Sequence, residues 1–281
     1  MAKTKPVWAD EMSWKDFADL LKKTDMAVVP IGVMEAHGPH APLGFDNWIA
    51  EEIAKRLALK LNALLMPVVK YGNCDVAYDA TMWPGTISIS LETMTSLYTD
   101  IGRELARQGI KRVIWVSGHF CNQPALFSAM YKVWHEWGTT GGILEYWVIL
   151  NDLGIDKLFP DRIGGHADEV ETSLLLATEG ARFVDLEKAV ANPGCNLPYP
   201  YKDEPRSTAY EVFMRRLGRT TFEYAEDFLH ESGSMGDPKK ASVEKGNKII
   251  DAAVEVGVEM AQSLKRYVKT KPDRFNRPRK R

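Results

Sequence analysis

Thirteen residues, MEAHGPHAPLGFD from Met34 to Asp46, hold Glu35, His37, His40 and Asp46 together with two glycines and two prolines. The chain has six histidines in all, so two of them in a segment too irregular for a helix call for a chemical reason. Residues two apart in extended backbone point the same way, so Glu35 and His37 can face one ion while Ala36 turns aside. A mixed imidazole and carboxylate set suits zinc, manganese or iron, whereas calcium prefers oxygen alone. Two further segments carry the same chemistry. His119 lies in GHFCN, and GGHADEVETS places His166 ahead of Asp168, Glu169 and Glu171. Acidic residues in a first helical turn offset the helix dipole, and Asp168 and Glu169 fit that reading. Glu171 sits deeper, beside Leu174 and Leu175, as a ligand or as the partner of one. His135 and His230 lack such company and read as structural.

Groups this far apart in sequence need a scaffold that gathers them. AVVPIGV, Ala27 to Val33, reads as a buried strand running into the histidine segment. Asp46 then lies near the start of a helix whose Trp48, Ile49, Ile53, Leu57 and Leu61 recur at helical spacing. ALLMPVV, Ala63 to Val69, is a second strand, and a helix runs from a Ser90 cap to a Gly109 stop. RVIWVS, Arg112 to Ser117, is the next strand. A Gly-His turn leads from it into a helix ending at Gly138, and GILEYWVIL from Gly142 makes a further strand. Strand and helix in alternation specify an α/β fold with a mainly parallel sheet covered by helices on both faces. In such a sheet the loops at the carboxyl ends of the strands converge on one crevice. Glu35, His37 and His119 therefore arrive at one edge, and Asp46 folds back to join them.

Bulk properties narrow the function classes. The chain has 281 residues, 45% hydrophobic and 26% charged, enough for one large domain or two small ones, and a single domain over residues 1–270 is expected. A net charge of −2 gives no reason to expect nucleic acid. Without a membrane-length apolar run or a signal-like start, the expectation is a cytoplasmic protein that does not bind membranes. Cys74, Cys121 and Cys195 make an odd set without CxxC spacing, as expected for reduced thiols. The basic end, KRYVKTKPDRFNRPRKR from Lys265, reads as a solvated tail, with residues 271–281 a flexible C-terminal segment.

The segments PIGVMEAHGPHAPLGFD, WPGTISIS, VSGHFCNQPAL, GGHADEVETS and GSMGDPKKASVEKG, in this order, resemble the creatininase (creatinine amidohydrolase) family from about Val28 to Met260. That resemblance implies a three-layer α/β/α fold assembled as a homo-oligomer, usually a hexamer, acting on a small-molecule substrate. It also implies one or two divalent ions per subunit, zinc or manganese with iron as a third option. By position, Glu35, His37, Asp46 and His119 match metal ligands, with Asp46 the bridge where two ions bind. His166 matches a proton-transferring histidine, and Glu171 a glutamate of the metal shell that also serves catalysis. His40, Trp83, Phe120, Cys121 and Asn122 are the substrate-contact candidates, with Tyr78 and Trp48 as further aromatic walls.

One departure bears on the substrate. Creatininase proper resembles GHYEN where this chain reads GHFCN, so Cys121 replaces a metal-binding glutamate. That substitution weakens the case for creatinine itself. It leaves a cyclic amide or a cyclic diketone such as a keto-inositol, where attack on a carbonyl breaks a C–N or a C–C bond. A metal-free binding or structural protein is the alternative from a different class.

Overall fold

The computed structural model describes residues 8–74, 83–152, 154–160, 165–191 and 232–270. Its sheet is built from Met26–Ile31 (β1), Leu64–Leu65 (β2), Arg112–Ser117 (β3) and Thr140–Glu145 (β4), all parallel, in the order β2-β1-β3-β4. Ile31 pairs with Ser117, and Ser117 with Glu145, so three strands end level.

The helices are Trp14–Leu21 (α1), Phe45–Leu61 (α2), Leu91–Arg107 (α3), Gln123–Trp137 (α4), Tyr146–Asp152 (α5), Glu169–Leu176 (α6) and Val243–Thr270 (α7). Alternation along the strands sorts the core into two halves. Met26, Val28, Ile114, Val116 and Leu144 face α2 and α7 through Ile49, Ile53, Leu57, Ile250 and Ala253. Ala27, Val29, Ile31, Val113 and Trp115 face α3 and α4 through Met94, Tyr98, Leu105, Leu126 and Ala129. Helices thus cover both faces of a parallel sheet, and the central strands β1 and β3 are apolar on both sides. Cutting Leu57, which is fully buried, back to alanine costs about 2–5 kcal/mol.

Local sequence explains the boundaries. Ser90 caps α3 by accepting from the Thr93 amide, and Gly138 closes α4 at φ 71°, a left-handed conformation suited to glycine. Three sequence expectations are revised. The Ala63–Val69 segment pairs regularly only at Leu64–Leu65, because Pro67 has no N–H for the ladder, and Val69 returns as an isolated bridge to Ile31. The strand expected from Gly142 begins at Thr140 and stops at Glu145, and Tyr146 to Asp152 are helical. Tyr146, Ile149 and Leu150 recur at helical spacing and are buried, so this aromatic and β-branched run packs as a helix against its propensity. Finally, α7 continues through Lys265 to Thr270, so only residues 271–281 of the expected tail remain, and they lie outside the described residues.

No helix among the described residues is long and apolar enough to cross a membrane.

Candidate metal centre

The strand order reverses beside β1: its chain passes through α2 to β2 on one side, while β3 lies on the other. Loops leaving β1 and β3 therefore diverge and leave a crevice between them. Two contacts fix its walls. A Cβ on Gly118 would lie 2.2 Å from the Asp46 carbonyl oxygen, so glycine is what lets the first turn of α2 rest on the end of β3. Asn122 is fully buried; its Nδ2 donates to the Gly32 carbonyl at 3.0 Å, and its Oδ1 accepts from the Asn73 amide at 3.1 Å. One side chain thereby ties together the loops after β1, β2 and β3. Across the same seam Asn47 Nδ2 donates to the Val33 carbonyl at 3.0 Å.

Into this crevice project Glu35, His37, Asp46 and His119, each no more than 8% exposed. Asp46 reaches both imidazoles, with Oδ1 3.2 Å from His37 Nε2 and Oδ2 2.9 Å from His119 Nδ1. Glu35 Oε2 lies 3.1 Å from His119 Nδ1 and 3.8 Å from His37 Nε2. His37 Nδ1 faces its own loop at the Glu35 carbonyl, 3.1 Å away, which leaves Nε2 directed at the carboxylates. Its ring stacks on Phe45 at 4.2 Å and lies 4.3 Å from the His166 ring.

Burial alone would discharge every one of these groups, and their mutual attraction reverses it. Glu35 and Asp46 are disfavoured as anions by burial, yet the surrounding histidines hold both carboxyls below the usual range. His37 is opposed by burial but raised to about 9 by Asp46, Glu35 and Glu171. His119 likewise overcomes burial through Glu35, Cys121 and Asp46 and rises well above its ordinary value. Glu35 Oε2 nonetheless stays buried without a hydrogen bond. A buried acceptor of that kind, flanked by two imidazoles and a second carboxylate, fits a divalent transition ion.

Glu171 stands at the rim, with Oε2 3.9 Å from His37 Nε2. It accepts from the Tyr146 hydroxyl at 2.6 Å and from the Ala167 amide at 2.7 Å. Burial, with the Asp168 and Asp46 charges, pushes its carboxyl up to about 8. His166 turns Nε2 to the Ala36 carbonyl at 2.8 Å, and burial with the His37 charge lowers its pKa. Ala167 between them takes φ 51°, a left-handed value strained for alanine.

The remaining candidates are dispersed. Asp168 caps α6 by accepting from the Glu171 amide at 2.9 Å, and Glu169 pairs with Lys245. His40, 1% exposed, turns Nε2 to the Thr172 hydroxyl at 3.1 Å. Phe120 and Cys121 are partly exposed beside His119, with the Phe120 ring 6.2 Å from Trp147, while Trp83 is buried against Gly233. Trp48 points elsewhere, to Phe183 at 6.0 Å and the Arg182 guanidinium at 5.4 Å, because its neighbour Asp46 takes the crevice side of α2. His135 is exposed on α4 against Tyr131. Tyr78, His230 and Cys195 lie outside the described residues.

Sequence reasoning missed two participants, Tyr146 and Cys74. Cys74 is buried, and its Sγ donates to Glu35 Oε1 at 3.1 Å. Both follow a parallel strand, so asking what each strand end delivers to the common edge finds them.

The creatininase family, creatinine amidohydrolase, matches residues 10–261. Creatinine amidohydrolase of Pseudomonas putida is 29% identical over 266 residues, covering 90% of this chain and 95% of that one. The mycofactocin precursor peptide peptidase of Mycobacterium tuberculosis is 29% identical over 238 residues, covering 81% of each chain. The 3-dehydro-scyllo-inosose hydrolase of Thermotoga maritima is 26% identical over 259 residues, covering 89% and 80%. A solved manganese form of creatininase superposes with a TM-score of 0.75 at 27% identity, covering 92% of this chain and 99% of that one. A variant creatininase of Zn-Zn type gives 0.75 at 26%, covering 93% and 99%. With 252 consecutive residues matched and the same layered fold, this chain belongs to the creatininase family of metal-dependent hydrolases.

Proposed function

We propose that this chain opens a small, cyclic, polar metabolite by hydrolysis at a carbonyl carbon, using one or two divalent ions. Glu35, His37, Asp46 and His119 would hold the metal, with Glu171 at the edge of the set. The observation that carries the reading is Asp46, buried and placed 3.2 Å from His37 and 2.9 Å from His119, one oxygen toward each imidazole. A carboxylate so placed can bridge two ions or lock two ligands onto one. Bound there, a divalent ion would supply hydroxide near neutral pH and polarise the carbonyl under attack.

The chain's own groups manage protons and orientation. A carbonyl can only accept, so the His166 contact with Ala36 puts the ring proton on Nε2 and leaves Nδ1 as the basic atom. With its pKa lowered, His166 is neutral at pH 7; Nδ1 can take a proton from the attacking water and return it to the departing atom. Tyr146 and the Ala167 amide fix Glu171 beside it. Partial exposure of Phe120 and Cys121 next to His119 supports them as the wall that a substrate would meet.

The leading substrate class is a cyclic 1,3-diketone of the keto-inositol type: water adds to one carbonyl, the C–C bond beside it breaks, and its electron pair leaves as an enolate stabilised by the second carbonyl and then takes up a proton. Supporting it are the inosose hydrolase relative and Cys121, which stands where creatininase proper resembles a glutamate. The second class is a cyclic amide, favoured by the amidohydrolase and peptidase relatives. The test is a panel of keto-inositols, lactams, cyclic ureas and creatinine, assayed with metal-stripped protein reloaded with zinc, manganese or iron. Ring opening confined to keto-inositols is expected. Turnover of amides alone would select the second class, and protein that neither binds metal nor turns over any of them would sink both.

A further inference from the structure

The loop leaving β2 brings a thiol into the centre. Cys74 is 1% exposed, and the backbone around it is pinned: its amide donates to Ser88 Oγ at 2.9 Å, and the preceding Asn73 amide donates to Asn122. The sulfur is therefore held in place and does not swing on an open loop. Cys74 Sγ, a Glu35 oxygen and a His119 ring nitrogen all lie within 4.8 Å of one another. The thiol serves Glu35 Oε1, at 3.1 Å. It does nothing for Oε2, which is buried without a hydrogen bond beside His119. A small apolar filler at this position would leave that oxygen with only the His119 ring beside it and no hydrogen bond, whereas an ion between thiolate, carboxylate and imidazole engages all three groups at once.

We propose that Cys74 is a metal ligand, completing with Glu35 and His119 a thiolate–carboxylate–imidazole position that selects zinc over manganese. The proposal rests on the metal-dependent reading above and adds to it a ligand and a preference. A thiolate is soft and suits zinc, while an all-oxygen and imidazole set tolerates manganese. Ligation exchanges the S–H bond for a sulfur–metal bond and releases one proton to solvent. His37 and Asp46, with Glu171 at the rim, are left as a nitrogen and oxygen position for a second, harder ion.

The test uses full-length protein stripped of metal and reloaded with one equivalent of cobalt(II), with cobalt content measured alongside the near-ultraviolet spectrum. A thiolate-to-cobalt charge-transfer band is expected in the wild type and in Cys121→Ser. It should vanish in Cys74→Ser, which keeps fold and bound cobalt. In zinc–manganese competition, Cys74→Ser should lose roughly 10- to 100-fold of the preference for zinc, at least what loss of an outer-shell partner costs. X-ray absorption of the zinc-loaded wild type should show a sulfur neighbour at about 2.3 Å, independent of any variant. Stoichiometric cobalt without the band, or a band that follows Cys121, overturns the Cys74 assignment and leaves the metal centre standing. Failure to bind cobalt, zinc or manganese overturns both.

Discussion

His119 Nδ1 and Asp46 Oδ2 meet at 2.9 Å across the loop after β3 and the first turn of α2, two elements whose contact depends on Gly118. On the other side of Asp46, His37 sits at 3.2 Å. If this crossing is the metal centre, His37→Ala and His119→Ala should each bind metal at least 10- to 100-fold more weakly, the range already seen for outer-shell losses. Metal content of variants shown to be folded by circular dichroism decides it. Wild-type stoichiometry in both would mean the ion sits elsewhere.

His166 answers to a different measurement. Its ring lies 4.3 Å from His37, yet its Nε2 is committed to the Ala36 carbonyl. His166→Asn should therefore retain bound metal and lose kcat by roughly 10²- to 10⁴-fold, as for a general acid-base group. Loss of metal in step with activity would make His166 a ligand and remove the proton-transfer role.

Much of this arrangement was legible in the sequence because parallel sheets deliver groups by rule. RVIWVS pairs as read, from Arg112 to Ser117, and the edge reached by Glu35, His37 and His119 follows from strand polarity, with Asp46 joining them from the start of α2. What stayed hidden depended on tertiary contacts. Tyr146 looked like strand because its neighbours are aromatic and β-branched, and only packing against α7 makes the segment helical. Gly141 and Gly142 lie inside β4, where a side chain on Gly142 would collide with Met260 of α7. Cys74 carried no local motif; its partner Glu35 lies 39 residues away.

Stability in mild acid should depend on His40. Burial, with the nearby His37 and His166 charges, lowers its pKa from 6.5 to about 4. The native state therefore keeps this ring neutral while the unfolded chain protonates near 6.5, so its contribution is complete above that pH and is lost as pH falls toward 4. The gap corresponds to about 3 kcal/mol at most. His40→Gln, which can still meet Thr172, should show a flatter fall in unfolding free energy between pH 6.5 and 4, measured by urea titration. Identical slopes for the two proteins would mean that His40 titrates normally.

Asn122 should couple stability to metal affinity. Its two hydrogen bonds hold Gly32, which leads to Glu35, and Asn73, which precedes Cys74. In Asn122→Ala the buried Gly32 carbonyl loses its partner, at about 1–3 kcal/mol for a group left unsatisfied, and the part-buried Asn73 amide loses its own at a smaller cost. For a chain of this size every 1 kcal/mol lowers Tm by roughly 2–4 °C. Asn122→Asp keeps an acceptor for Asn73 but has no donor for Gly32, so its Tm should fall between those of the wild type and the alanine variant. Because the freed loops carry Glu35 and Cys74, metal affinity should drop in the same order, although Asn122 itself touches no ion. An alanine variant with unchanged Tm would show that the three loops are held by other contacts. One that loses stability but binds metal as tightly as before would show that the centre is positioned independently of this clamp.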